Sequence, residues 1–185
     1  MVLAVLCFVA TPAAATRDLI AAGILLVADD GQSALVFLVK HHSRPWYEIP
    51  GGRRQVNSGA ESGQDGWRET AYQTAVREVF EETRGYLSPD VLRTVVDASH
   101  NMRDGGFVFF VGKIDRFPIS SLPDTPQPND GNVSAFSEIA DYAWVPVENV
   151  LASDDTVVVD AEARRIKVRR QLKSRLLRAR AAGWL

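Results

Sequence analysis

Glu69-Thr70-Ala71-Tyr72-Gln73-Thr74-Ala75-Val76-Arg77-Glu78-Val79-Phe80-Glu81-Glu82-Thr83-Arg84-Gly85-Tyr86 carries the start and stop signals of one amphipathic helix. Thr70 and Gln73 have the spacing of a capping box, in which a hydroxyl and a side-chain amide satisfy backbone donors at a helix start. Gly85 supplies the stop, because glycine tolerates the left-handed conformation that closes many helices. At roughly 100 degrees of rotation per residue, Tyr72, Ala75, Val76 and Val79 gather on one side and Glu78, Glu81 and Glu82 on another. The spacing therefore predicts a core face and a three-carboxylate face. Like charges three and four residues apart cost roughly a few tenths of a kcal/mol per pair. Arg77 offsets part of that cost. A hard divalent cation would offset more, since Mg2+ is held by carboxylate oxygens and substrate phosphates. Taken alone, the helix reads either as a solvated acidic face with an arginine partner or as a metal site.

The wider spacing decides between them. From Glu69, seven residues lead to Arg77-Glu78-Val79-Phe80-Glu81-Glu82, with Gly85 and Tyr86 close behind. This resembles the box of the Nudix hydrolases, G-x5-E-x7-R-E-U-x-E-E-x-G-U with U aliphatic, and Ile49-Pro50-Gly51-Gly52 looks like the turn that opens it. Two departures stand out. Thr83 and Arg84 both intervene between Glu82 and Gly85, where the family has one residue. Gly52 also stands far upstream of Glu69, separated by the polar run Arg53 to Arg68, which reads as an inserted surface loop. Gly63 meets the literal spacing, but Gly52 follows the plausible strand Trp46-Tyr47-Glu48-Ile49 and is the better equivalent.

The resemblance implies an α/β fold, a Nudix-type α/β/α sandwich with a central mixed sheet. It implies a metal-dependent hydrolase that cleaves a diphosphate linkage in a nucleoside-diphosphate-linked or related pyrophosphate substrate. Mg2+, with Mn2+ as the alternative, would sit on Glu78, Glu81 and Glu82. Arg77 would brace the cluster, with Glu69 beside it as a structural or outer metal partner. The base varies within the family, leaving Glu81, Glu82 and Glu138 as candidates here. Gly51 and Gly52 would shape the substrate site, and Arg53 and Arg54 would stand at its mouth, where a guanidinium can grip a phosphate. Without the resemblance, Arg53 and Arg54 read equally as loop solubilisers. Trp46 and Tyr47, read from the residues alone, suit either stacking on a nucleobase or packing in the core.

A chain of 185 residues with 46% hydrophobic content suits one domain with its own core. We expect an N-terminal extension over 1–16 and a single domain over 17–185. The net charge of −2 is unevenly spread. Residues 161–185 hold nine Lys or Arg against one acid, a balance of +8, which leaves −10 on residues 1–160. Cys7 is the sole cysteine, so no internal disulfide forms. The apolar run Val2 to Ala10, followed by Thr11-Pro12-Ala13-Ala14-Ala15, has the outline of a secretory signal, but no Lys or Arg precedes it. It is also too short to span a membrane. These features favour a cytoplasmic protein, with secretion as the alternative if residues 1–16 act as a signal peptide.

Leu19 to Val27 and Ala34 to His41 read as a hairpin turned at Asp29-Asp30-Gly31. Neighbours on a strand face opposite ways, so His41 and His42 do not form one metal site and suit surface or substrate-edge roles. Val91 to Ala98 and Phe107 to Ile114 are two further strand candidates, joined by His100 to Gly106. Phe117 to Asn132 has the composition of a loop. Glu138 to Leu151 is similar to the late segment of many Nudix domains, an acid before a Trp-Val strand and then a short helix; behind Glu138, Asp141 and Glu148 are lesser candidates for its metal or base role, with solvent-facing turn residues as the alternative reading. Asp160 to Arg180 is expected as a basic helix with Val168, Leu172 and Leu176 on one stripe. That helix either docks by its stripe or binds RNA phosphates or an anionic membrane. Two rival functions remain open, a non-catalytic regulatory binding domain and an RNA-directed, decapping-type pyrophosphohydrolase.

Overall fold

The computed structural model describes residues 21–55, 69–124, 137–153 and 156–185. The expectations for residues 1–20, most of the inserted run after Arg53, and much of the loop beyond Phe117 lie outside them. Ala21–Asp29 (β1) and Ala34–His41 (β2) form the expected antiparallel hairpin. Its turn is held by short acids that bond their own following backbone, Asp29 accepting from Gly31 N–H at 2.8 Å and Asp30 from Ser33 N–H at 2.9 Å.

Tyr47–Glu48 (β3) pairs with β2, and Gly51–Arg53 (β4) pairs with the start of β1, so the inserted run opens in a strand rather than in a loop. Phe107–Lys113 (β6) runs parallel to β1 from Ala21 opposite Phe107 to Val27 opposite Lys113. Its apolar run Val108 to Val111 is buried, as a strand covered on both faces requires. Val96–Asp104 (β5) lies antiparallel to β6, and Ile139–Pro146 (β7) antiparallel to β2. The sheet is mixed, as expected.

Alternate residues of each strand feed opposite layers. Ile24, Leu26, Phe37, Val39 and Trp144 pack with Ala75, Val76 and Val79 of α1 (Ala71–Glu82) and Leu92 of α2 (Pro89–Val95). Leu25, Val27, Val36, Leu38 and Val145 pack with Val147 and Val150 of α3 (Val147–Ala152) and Leu172, Leu176 and Ala179 of α4 (Gln171–Ala181). The result is an α/β/α sandwich. Among the described residues, no helix is long and apolar enough to cross a membrane.

Two segments differ from the sequence reading. Val91 to Val95 is helical, because Ser88 caps the segment, Pro89 opens it and one buried side chain, Leu92, is enough to dock it. The following strand then runs through His100 to Asp104, confining the turn to Gly105 and Gly106. Residues 160 to 170 are not helical. The buried Asp160 carboxylate accepts from Glu162 N–H at 3.1 Å and Arg164 N–H at 2.7 Å, which competes with helix and turns a small ribbon of Val157–Val159 (β8) and Arg165–Lys167 (β9). Val168, Leu172 and Leu176 are nonetheless all buried, and the stripe docks.

The extra residue at the end of α1 has a clear place. Thr83 is buried and its hydroxyl donates to Val79 O at 2.7 Å. Arg84 and Gly85 then both take left-handed backbone, with φ of 54 and 83 degrees. Arg84 donates to Pro123 O at 3.0 Å, Asp124 O at 3.1 Å and Ile139 O at 3.1 Å, binding the end of α1 to the start of β7. Left-handed backbone costs a non-glycine residue roughly 1–2 kcal/mol, while hydrogen bonds to a charged group contribute about 1.5–3 kcal/mol each. The bonds win. Arg84→Gly is therefore expected to lower stability by about 2 kcal/mol in urea melts despite relieving the backbone, and an unchanged or raised midpoint would show the clamp to be slack.

Candidate active site

The capping box forms as the sequence predicts, with Gln73 N–H to Thr70 Oγ1 at 3.1 Å and Thr70 N–H to Gln73 Oε1 at 2.8 Å. It sets the phase of α1. Ala75, Val76 and Val79 then face the core, and Glu78, Glu81 and Glu82 turn toward the glycines at β4. Gly51 N–H donates to Glu82 at 2.7 Å. A Cβ on Gly52 would fall 2.2 Å from a Glu78 carboxylate oxygen, so the acid occupies the space that glycine leaves open. Gly52 is thus the partner of the acidic helix; Gly63 lies outside the described residues.

Arg77 sits among the acids. Its guanidinium meets Glu69 at 2.7 Å, Glu78 at 2.8 Å and Glu81 at 2.9 Å, and donates to Arg53 O at 2.9 Å. Glu69 is buried and also accepts from Gln55 N–H at 3.0 Å and the Thr74 hydroxyl at 3.1 Å. Burial alone would raise its pKa; Arg77 and these donors hold it below the ordinary value. Burial dominates at Glu78, which is pushed up to about 7 against the pull of Arg77, with the charges of Glu82 and Glu81 adding to the rise. Glu81 and Glu82 are also raised, chiefly by burial.

These groups line a cleft of about 490 Å3. Glu78, Glu81, Glu82 and Glu138 face it together with Arg44, Arg53, Arg54 and Arg77, beside Gly51, Gly52, Gln55 and His41. A larger cavity of about 550 Å3 near Phe117 has only one lining acid, Glu162, and offers no comparable chemistry. Arg54 donates to Glu69 O, so it braces as well as lines. Glu138 is the exposed acid of the group, its side chain 63% accessible. Gly85 closes the helix, as expected, by donating to Phe80 O at 2.8 Å. Trp46 is half-buried and does not line the cleft, so the structure does not bring this stacking candidate to the site.

Three residues of the site were placed incompletely or not at all by the sequence reading. Of the surface and substrate-edge roles open to His41, the structure gives the second: it is buried and lines the cleft, with Nε2 at 2.9 Å from Glu82 Oε1 and Nδ1 at 3.8 Å from Glu138. The Nε2 contact with Glu82 is close but lacks hydrogen-bond alignment. Burial opposes a charge on His41, yet Glu82 prevails and holds its pKa above the ordinary value. His42 is exposed, as alternation requires. The signal for His41 was its parity with Phe37 and Val39, which places it on the α1 face of β2 despite an irregularity after Lys40. Glu48, 4% exposed, and its partner Arg44 left no such signal.

Removing Arg77 would strand the buried Glu69 and leave the half-buried Glu78 and Glu81 unpaired, the kind of loss that costs about 3–5 kcal/mol. Arg77→Met is expected to lower stability on that scale in denaturant melts, and a change within about 0.5 kcal/mol would show the acids to be indifferent to their partner.

Comparison with known proteins follows the same direction. Residues 17–165 match the family model of the NUDIX domain. No curated protein matches. Among solved structures, the NUDIX domain of Shewanella oneidensis NrtR, in complex with ADP ribose, is 16% identical with a TM-score of 0.52, covering 95% of this chain and 94% of that one. An Ap4A hydrolase from C. elegans, in a binary complex, is 18% identical with a TM-score of 0.49, covering 88% and 97%. RenU, a Nudix hydrolase from M. smegmatis, is 19% identical with a TM-score of 0.42, covering 90% and 86%. At 16% identity the likeness to the NrtR domain speaks for the fold alone. The family match spans most of the sequence, and it decides the matter: this chain belongs to the NUDIX domain family and is a pyrophosphohydrolase of that family.

Proposed function

We propose that this pyrophosphohydrolase cleaves a diphosphate linkage in a nucleoside-diphosphate-linked or related pyrophosphate substrate, using Mg2+ or Mn2+. The observation that carries the proposal is the pairing, in one cleft, of the α1 carboxylates with four arginines. The donor set fits a hard divalent cation: Glu78, Glu81 and Glu82 offer only oxygen, and burial has raised the proton affinity of all three. Among the described residues no three ligands are already converged, so these acids would hold the ion after rearranging. When bound, such an ion neutralises phosphate charge and polarises the phosphorus.

The protein's own groups do the rest. Arg44, Arg53 and Arg54 line the cleft as phosphate-gripping cations. Arg77 fixes Glu69, Glu78 and Glu81 relative to one another, while Gly51 N–H and His41 fix Glu82. Glu81, Glu82 and the exposed Glu138 are the acids placed to take a proton from an attacking water. The ADP ribose held by the NrtR domain is itself a nucleoside diphosphate joined to a sugar, which agrees with this substrate class.

An RNA-directed activity gains little from the basic C-terminal segment. Arg164, Arg169, Arg175 and Arg180 pair with Asp160, Glu48, Asp104 and Glu148, and Lys173 and Arg178 donate to backbone carbonyls. These cations serve the fold first.

The test is product release from nucleotide sugars, dinucleoside polyphosphates, inositol pyrophosphates, nucleoside triphosphates and capped RNA with Mg2+ or Mn2+. Turnover is expected with at least one class, to vanish in EDTA, and to fall roughly 100-fold or more in Glu82→Gln, the scale of a lost acid-base group. Gly52→Ala should lower turnover about 10-fold or more by displacing Glu78, with an unchanged circular dichroism spectrum. A folded protein that binds these ligands yet turns none over would favour the regulatory-binder reading.

A further inference from the structure

Beyond residue 165, where the family match ends, the chain returns to β3. Val168 bridges to Tyr47, and Arg169 N–H donates to Tyr47 O at 2.8 Å, which seats Arg169 beside β3. Its guanidinium pairs with the buried carboxylate of Glu48. The other oxygen of Glu48 pairs with Arg44, a cleft residue, and lies 4.0 Å from His41 Nε2. That same nitrogen stands 2.9 Å from Glu82.

Two buried carboxylates thus compete for one imidazole. A buried acid takes whatever cation or donor is nearest, because an unpaired charge in the interior is costly. With two guanidinium partners Glu48 is satisfied, and His41 remains on Glu82. With one partner fewer, Glu48 would draw on His41. We infer that Arg169, from outside the matched domain, is a positioning residue of the active site: by joining Arg44 in neutralising Glu48 it leaves His41 to Glu82. The inference rests on the proposed role of Glu82. It concerns which oxygen His41 faces, whatever charge the ring carries. It also gives the basic C-terminal segment a task that needs no nucleic acid.

The experiment compares the full chain with Arg169→Ala, Arg169→Lys, Glu48→Gln and the Glu48→Gln/Arg169→Ala double variant. The first readout is the 15N resonances of the His41 imidazole in metal-free protein; the second is kcat against KM with Mn2+. Arg169→Ala is expected to shift the His41 resonances and to lower kcat about 10-fold, the scale of losing an outer partner of a site, with a smaller change in KM. The double variant should return both toward the parent, because a neutral amide no longer competes for His41. If Arg169→Ala does not fold, Arg169→Lys makes the same comparison with a smaller shift. Melting at lower temperature with unmoved His41 resonances and parental kcat would overturn the inference and leave Arg169 a structural residue. If the parent has no turnover, the proposed function fails while the resonances still decide: moved and restored supports the positioning role, unmoved refutes it.

Discussion

One guanidinium sets the terms for the site. Arg77 lies within ion-pair distance of Glu69, Glu78 and Glu81, and α1 could not otherwise present so many acids on one partly buried face. On an exposed helix the repulsion among such residues amounts to roughly a few tenths of a kcal/mol per pair, but burial removes the water that keeps it small. The position of α1, the approach of Gly52 to Glu78 and the tie from Arg53 O to Arg77 all follow from keeping those charges together. The acids remain only partly compensated, as the raised pKa of Glu78 shows. The divalent cation proposed above would supply the compensation that Arg77 leaves incomplete.

Most of the framework was legible because it rests on local rules. The α1 boundaries follow from Thr70, Gln73 and Gly85; the hairpin from Asp29 to Gly31; and the buried β6 from its unbroken apolar run. Where local signals were read too loosely, the reading failed. Ser88-Pro89 marks a helix start, yet the branched residues after it suggested a strand. Asp160 bonds its own downstream backbone, which no periodicity of the following arginines reveals.

The lining of the cleft was legible in its carboxylates and glycines, which the resemblance to the Nudix box had singled out. Its supporting residues were not. His41, Glu48, Arg44 and Arg169 come from separate parts of the chain, and only tertiary packing shows that they meet. The contrast between an acidic body and a basic C-terminal segment was visible as a sum of charges. That the contrast resolves into particular pairs, Glu48 with Arg169 and Asp104 with Arg175, is a matter of the fold.

The parallel contact of β1 with β6 has a consequence for how the protein acquires its shape. Joining Ala21 to Phe107 closes a long stretch of chain, and that stretch contains His41, the paired glycines and all of α1. Local elements such as α1 and the β1–β2 hairpin can form quickly, whereas a parallel pairing over such a separation is slow because the loop entropy is lost before the contacts compensate for it. The cleft is then a late product of folding. Until it closes, the apolar edge of β1 is bare, an exposure of the kind that lets self-association compete with closure.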